Sequence, residues 1–150
     1  MAVIPTVSEG DYIRFETPEI KGTVTYDKKL HTFCLSGVAL LTRTIEYWGA
    51  NPLWRNESYE GSGLPYPNPE VAYDNSPNKG TAKVDSQGLF LIHFQHPSAY
   101  YVGQGKTLLK PHLHLRLVDQ KKELTLIIGE PFPNRSLTGL PDRPNRTIGR

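Results

Sequence analysis

Two histidines stand two residues apart in the segment LLKPHLHLRLV, residues 108–118. In a β-strand, residues i and i+2 point to the same face, so His112 and His114 would project together, with Cα atoms roughly 6.5–7 Å apart. Side chains at that separation can converge on one metal ion through bonds of about 2.0–2.1 Å. The alternative is that both histidines belong to a polar, solvent-facing strand surface. The alternating leucines make the other face apolar under either interpretation.

The segment before this strand carries a second pattern. Residues 84–101, VDSQGLFLIHFQHPSAYY, contain Asp85, Gly88, Phe90, Pro97 and Tyr100 in a turn–strand–turn arrangement. This arrangement resembles the intradiol ring-cleavage dioxygenases of the catechol and protocatechuate type, whose pattern is D-x-x-G-x-[YF]-x-F-x-x-x-x-P-x-x-Y. The spacing matches without a gap, with Ile92 in place of the second aromatic residue.

Further segments extend the resemblance to roughly residues 19–128. TIEYWGAN, residues 44–51, is similar to the family's strand VEVWQAN, and IKGTVTY, residues 20–26, is similar to the first strand of its core. The segment KPHLH follows Tyr100 where the family has Arg-Pro-x-His-x-His, with one residue fewer. We expect no helical N-terminal extension of the kind through which many members dimerise. The Asp85–Tyr100 pattern alone also occurs in prealbumin-like binding domains.

The resemblance implies a non-haem Fe(III) ion held by two tyrosinates and two histidines. Tyr100, His112 and His114 would be three of the ligands. The family's spacing to its first tyrosine ligand ends on Asn56, so the nearest tyrosine, Tyr59, is the expected fourth ligand if the loop is shifted by three residues. Phenolate is a hard anionic oxygen that suits ferric iron, and imidazole suits iron as well.

Other residues near this pattern have less specific roles. Lys110 occupies the place of the family's Arg and would supply positive charge beside an anionic ring; its alternative is a lysine in solvent. Tyr101 could replace Tyr100 if the loop register slips. Trp48 is expected in the core. Outside this set, His93 and His96 are expected at the surface or behind the ligands, and Tyr66 and Tyr73 either pack on prolines or line a ring-shaped pocket.

Alternation of apolar and polar residues predicts the elements that must position these side chains. It recurs in EIKGTVTY, SGVALLTRTIEYW, KGTAKVDSQGLFLIHFQH, KPHLHLRLVD and KKELTLIIG, separated by polar turns. Short strands at this spacing predict an all-β fold, an antiparallel β-sandwich, and the resemblance adds a prealbumin-like core. Residues 51–80 and 100–110 are expected to be irregular, and long loops of this kind are where we expect the substrate to be recognised.

Composition limits the classes of function. The 150 residues suit one domain, with a loosely held tail from about residue 135. A net charge of +2 argues against nucleic acid as an obligatory partner. One cysteine, Cys34, excludes an internal disulfide and cysteine-rich zinc sites. With neither a secretory signal nor an apolar run long enough for a membrane, we expect a cytoplasmic protein, and exposed strand edges would allow a homodimer.

Three functions follow, in order of preference. The first is a dioxygenase that cleaves a catechol-type ring between its two hydroxylated carbons, with dioxygen as co-substrate. The second keeps the fold and metal site for a different tailoring reaction on an aromatic molecule. The third is a metal-free, prealbumin-like binding module.

Overall fold

A computed structural model describes residues 2–4, 6–9, 12–27, 32–52 and 66–128. Within these ranges the fold is all-β, with 56% of the residues in strands and almost no helix. In the described ranges the strands are β1 (Ala2–Ile4), β2 (Thr6–Glu9), β3 (Tyr12–Glu16), β4 (Lys21–Asp27), β5 (Thr32–Val38), β6 (Thr44–Gly49), β7 (Lys79–Lys83), β8 (Leu89–Phe94), β9 (Tyr100–Val102), β10 (Thr107–Leu109), β11 (His112–Leu117) and β12 (Lys122–Ile127). In the same ranges one short α-helix, α1, covers Pro69–Tyr73, and a 3₁₀ helix covers Val118–Gln120.

Ten of these strands form two five-stranded sheets. The first sheet has the order β1-β12-β11-β6-β7 and the second has the order β2-β3-β4-β5-β8. Among the described pairings all are antiparallel except that of β1 with β12. Strands β9 and β10 form a separate hairpin. The prediction of an all-β, antiparallel-rich sandwich is confirmed.

The main core lies between the two sheets. One cluster of buried side chains combines Ile45, Leu115 and Leu126 from the first sheet with Leu35 and Ile92 from the second. Along β11 the leucines at 113, 115 and 117 are fully buried. Because side chains alternate across a strand, the residues between them face the other side of the sheet. That side carries the histidine pair.

Several local expectations were wrong. Residues 69–73, expected to be irregular, form α1: the Asn68 side chain accepts a hydrogen bond from the Val71 backbone N–H at 2.9 Å, and Pro69 occupies the first turn. An Asn cap followed by Pro is a favoured helix start. The piece 100–110 was also expected to be irregular but holds the β9–β10 hairpin. The N-terminal residues form β1 to β3, which the alternation did not predict.

Two smaller observations complete the fold. Gly88 has φ of +85° in the turn before β8, a backbone conformation that glycine adopts without steric cost. None of the helices in the described ranges is long and apolar enough to cross a membrane. The predicted single domain over residues 1–150 stays a prediction, and the predicted loose tail lies outside the described residues.

Candidate metal centre

The outer face of the first sheet brings two histidines and two tyrosines together. His112 and His114 project from β11, and their rings meet edge to face with centroids 4.9 Å apart. Tyr100, at the start of β9, places its hydroxyl 3.1 Å from His112 Nε2. Tyr73, the last residue of α1, places its hydroxyl 3.1 Å from the Tyr100 hydroxyl, and its ring centroid lies 6.4 Å from that of His114. We call these four side chains the Tyr–His cluster.

Tyr100 is held by backbone hydrogen bonds on both of its sides. The Tyr66 N–H donates to the Ala99 carbonyl at 3.2 Å, and the Tyr101 N–H donates to the Tyr66 carbonyl at 2.9 Å. Tyr66 in turn donates its hydroxyl to the Pro52 carbonyl at 2.6 Å. The backbone that presents Tyr100 is therefore fixed from a segment more than thirty residues earlier in the chain.

The histidine rings are oriented by neighbours on the same sheet. His112 Nδ1 lies 2.6 Å from the Lys110 carbonyl oxygen. Trp48, opposite His114 on β6, stacks on the His114 ring with centroids 5.1 Å apart. Thr125, opposite His114 on β12, places its hydroxyl 3.4 Å from His114 Nδ1. Nδ1 of each ring therefore has a neighbour on the sheet, and Nε2 is the nitrogen through which either ring would bind a metal.

The direction of the hydrogen bonds follows from the Lys110 carbonyl. A carbonyl oxygen can only accept, so His112 Nδ1 carries the proton, and in the neutral ring Nε2 has a lone pair. The Tyr100 hydroxyl must then donate to His112 Nε2, and the Tyr73 hydroxyl donates to the Tyr100 oxygen. A single hydrogen-bonded chain runs from Tyr73 through Tyr100 and His112 to Lys110.

Burial keeps all four groups neutral at pH 7. It raises the pKa of Tyr73 well above its ordinary value, reinforced by the hydrogen bond and electrostatic interaction with Tyr100. Burial also raises the pKa of Tyr100, against the opposing hydrogen bond from Tyr73. Burial lowers the pKa of His112, and burial followed by repulsion from His112 lowers the pKa of His114 to about 4. The histidines therefore keep their lone pairs available.

Apolar side chains surround the tyrosines. Buried Ala50, Tyr66 and Ala72 pack with Tyr100, and partly buried hydrophobic residues pack against this group, namely Val71, Tyr73, Val102 and Leu109. Tyr100 and His112 are each only 5% exposed. The cluster is consequently a polar site with apolar walls, which is the usual setting of a small-molecule or metal site.

The donor set fits a metal ion that accepts oxygen and nitrogen. Two donor atoms that share a metal at bond lengths of about 2.0–2.1 Å lie roughly 3 Å apart, as the two tyrosine oxygens and the Tyr100–His112 pair do. In the described part of the chain, no three His, Cys, Asp or Glu side chains form a group that could hold a metal. A metal held here would therefore need the tyrosine oxygens as further ligands.

The predicted site residues have different outcomes. Tyr100, His112 and His114 come together, and Tyr100 rather than Tyr101 faces the histidines. Tyr59 lies outside the described residues. Lys110 contributes its backbone carbonyl, and its side chain is exposed. The role of its ammonium group stays a prediction.

Some neighbouring residues differ from expectation. Trp48, expected in the core, is half-buried and stacks on His114. His93 is exposed, as expected, and the ring of His96 packs against Phe33 rather than the cluster. Sequence reasoning did not select Tyr73 as a ligand, although the Asn-Pro helix start four residues before it was readable.

Comparisons with known proteins identify no family. A scan against protein-family models, a search of curated proteins and a search of solved structures each returned no match.

Proposed function

We propose that this protein is a non-haem iron dioxygenase that cleaves a catechol-type ring between its two hydroxylated carbons. The observation that carries the proposal is the meeting of Tyr73, Tyr100, His112 and His114 on one sheet face. Two phenols and two imidazoles are the ligand types implied by the resemblance of the sequence to the intradiol enzymes. We also propose that the sandwich is the prealbumin-like core of that family.

In this proposal Tyr73, and not Tyr59, is the fourth ligand. It is the tyrosine whose hydroxyl lies within 3.1 Å of Tyr100 in the described residues. A ferric charge would overcome the effect of burial and favour deprotonated tyrosines. Two phenolates would then balance two of the three positive charges, and the neutral histidines would add none.

The chain's own residues prepare the site for this role. The Lys110 carbonyl fixes the tautomer of His112, which directs the Nε2 lone pair inward, an arrangement typical of metal-bound histidines. Trp48 fixes the plane of the His114 ring. The apolar side chains around the tyrosines exclude water. Ferric iron bound in this way would withdraw electron density from a chelated catechol and make the ring reactive toward dioxygen.

The other parts of the proposal rest on the sequence. The co-substrates are a catechol-like aromatic molecule and dioxygen, and the exposed ammonium of Lys110 supplies charge near the ring. A different tailoring reaction at the same metal site is the alternative that the replacement of Arg by Lys favours, since a lysine lacks the planar fork of arginine. Location in the cytoplasm, the absence of nucleic-acid and membrane partners, and a homodimer stay predictions.

A second candidate function has its own support. The hydrogen-bonded chain from Tyr73 to the Lys110 carbonyl is complete without a metal, which is what a metal-free binding module would need. In that case the four side chains serve only to stabilise the outer face of the sheet. The two candidates differ in metal content and in colour.

Iron analysis with a visible spectrum tests the proposal. Purified protein, loaded with ferric nitrilotriacetate, should bind one equivalent of iron and show the visible band of an iron–tyrosinate complex. The band should change on anaerobic addition of catechol, and admitting dioxygen should yield a muconate-type diacid. Colourless protein without bound iron would favour the binding module. Colour without ring cleavage would favour the tailoring reaction.

Four tyrosine variants assign the ligands. Tyr73→Phe and Tyr100→Phe keep the packed ring and remove the donor oxygen, so each should abolish or strongly shift the band. Tyr101→Phe and Tyr59→Phe are the matched controls and should keep it. Loss of the band in Tyr59→Phe together with its retention in Tyr73→Phe would transfer the fourth ligand to Tyr59.

A further inference from the structure

A buried asparagine holds the backbone on both sides of Tyr73. Asn51, which follows β6 by two residues, is fully buried. Its backbone N–H donates to the Ala72 carbonyl at 2.7 Å. Its side-chain Nδ2 donates to the same carbonyl at 3.0 Å and to the Asp74 carbonyl at 2.8 Å. The two residues it binds are the immediate neighbours of Tyr73.

The same asparagine is joined to the segment that leads to Tyr100. The Asn51 carbonyl accepts a hydrogen bond from the Ser98 N–H at 3.0 Å, and Ser98 is buried two residues before Tyr100. One residue therefore connects the backbone of both tyrosine segments. It does so from the end of β6, next to the strand that bears the histidines.

The C-terminal end of α1 explains why the hydrogen bonds of Asn51 matter. The last carbonyls of a helix have no partner within the helix, and α1 ends at Tyr73. The Asn51 backbone N–H already binds the Ala72 carbonyl, and the amide adds a second bond to that carbonyl and one to the Asp74 carbonyl, which together give the end of this short helix a defined position. A side chain that only filled space could not provide the two N–H donors.

We propose that Asn51 is a positioning residue that sets the separation of the Tyr73 and Tyr100 hydroxyls. The geometric part of this inference concerns the metal-free protein. Its consequence for iron rests on the proposed function: a correctly spaced pair of phenols binds the ion more tightly. Removing the amide should let the end of α1 move away from β9.

Asn78 provides a matched comparison in the same region. It is also buried, at 1% exposure, and its Nδ2 donates to the carbonyls of Ala50 at 2.8 Å and Gln95 at 2.9 Å. Its Oδ1 accepts from the Gln95 N–H at 2.8 Å. These bonds join the end of β6 to the end of β8, and none involves a residue next to Tyr73 or Tyr100 in the sequence.

The test compares Asn51→Ala and Asn51→Asp with Asn78→Ala. Asn51→Asp keeps the size of the side chain and the backbone bond, so it serves if Asn51→Ala does not fold. The measurements are the melting temperature, the affinity for ferric iron in competition with nitrilotriacetate, the position of the visible band, and a crystal structure of each metal-free variant.

We expect the Asn51 and Asn78 variants to lose melting temperature to a similar extent. Only the Asn51 variants should weaken iron binding by about 10–100-fold and shift the band. In their metal-free structures the Tyr73–Tyr100 hydroxyl distance should exceed about 3.5 Å, the limit of a hydrogen bond. In Asn78→Ala it should stay at its present 3.1 Å.

The inference and the proposed function fail in different ways. If iron affinity falls equally in the Asn51 and Asn78 variants, Asn51 is a general stabiliser and the inference is wrong, while the iron site stands. If wild-type protein binds no iron, the proposed function is wrong, and the metal-free structures decide about Asn51. An unchanged hydroxyl distance in Asn51→Asp would then overturn the inference.

Discussion

The four side chains of the Tyr–His cluster are uncharged in the metal-free protein at pH 7. The four titratable groups form a connected series of contacts, and burial moves all four toward the uncharged state. The tyrosines must lose protons to bind a cation, whereas the histidines need not. This asymmetry makes the number of protons released on metal binding a direct measure of which residues are the ligands.

We predict that binding of one ferric ion at pH 7 releases about two protons from the protein, one from each tyrosine. The measurement is the pH change of a weakly buffered solution on addition of ferric nitrilotriacetate, corrected for the protons that the released chelator and its iron-bound hydroxide take up. Release of about four protons would mean that the histidines are charged in the metal-free protein. No release would remove the tyrosines from the site.

Lys110 gives a second prediction at the level of single residues. If its ammonium stabilises negative charge on the bound ring, Lys110→Met should lower kcat by about 10²–10³-fold, and Lys110→Arg should keep most of it. Because the contact to His112 is made by the backbone carbonyl, both variants should retain full iron content. Equal turnover in Lys110→Met and wild type, at matched iron content, would leave the ammonium without a catalytic role.

At the scale of elements, structure was predicted where it depends on neighbouring residues. It was missed where it depends on residues far apart in the sequence. The β11 strand was predicted correctly because alternation is local, and it placed His112 and His114 on one face. The place of Tyr73 beside Tyr100 was not predicted. The family's spacing ended at Asn56, so the tyrosine nearest to it in the sequence, Tyr59, was expected as the ligand. Spacing across a long loop does not fix position, since a short helix changes the path of the chain.

The hairpin of β9 and β10 was missed for a related reason. Its turn contains three consecutive residues with positive φ, Gly103, Gln104 and Gly105, whereas residues 100–110 were expected to be irregular. Two glycines around a tight turn serve a hairpin equally well. The contact of Tyr100 with Tyr66 is also long-range, and no local pattern encodes it.

The cap of α1 gives the prediction at this scale. Asn68→Ala removes the acceptor of the Val71 N–H and should cost about 1 kcal/mol of stability. It should also weaken iron binding, since α1 presents Tyr73. Asn68→Asp retains an acceptor and is the matched control. The measurements are urea unfolding of the metal-free protein and chelator competition for iron; full iron affinity in Asn68→Ala would show that the cap does not position Tyr73.

At the scale of the whole molecule, the two faces of strand β11 have different roles: one fills the core and the other carries the site. Leucines of β11 fill the core between the sheets, and the histidines that alternate with them face the site. The site thus rests on a central strand, paired with β6 and β12 on either side, which limits its freedom to deform. Because the histidines of the site lie on a strand that also forms the core, their protonation affects the stability of the fold. That stability should therefore depend on pH.

We predict that the metal-free protein loses stability as the pH falls from about 6.5 to about 4. An unfolded histidine takes up a proton near pH 6.5, whereas folded His114 does so only at about pH 4, and the pKa of His112 is lowered as well. Between these values the unfolded state binds more protons, so the free energy of unfolding decreases with falling pH. His114→Gln should flatten this slope when melting temperature is measured against pH, and the exposed His93, replaced in the same way, is the control. A slope in His114→Gln equal to that of the wild type would mean that His114 is not held neutral by its burial in the cluster.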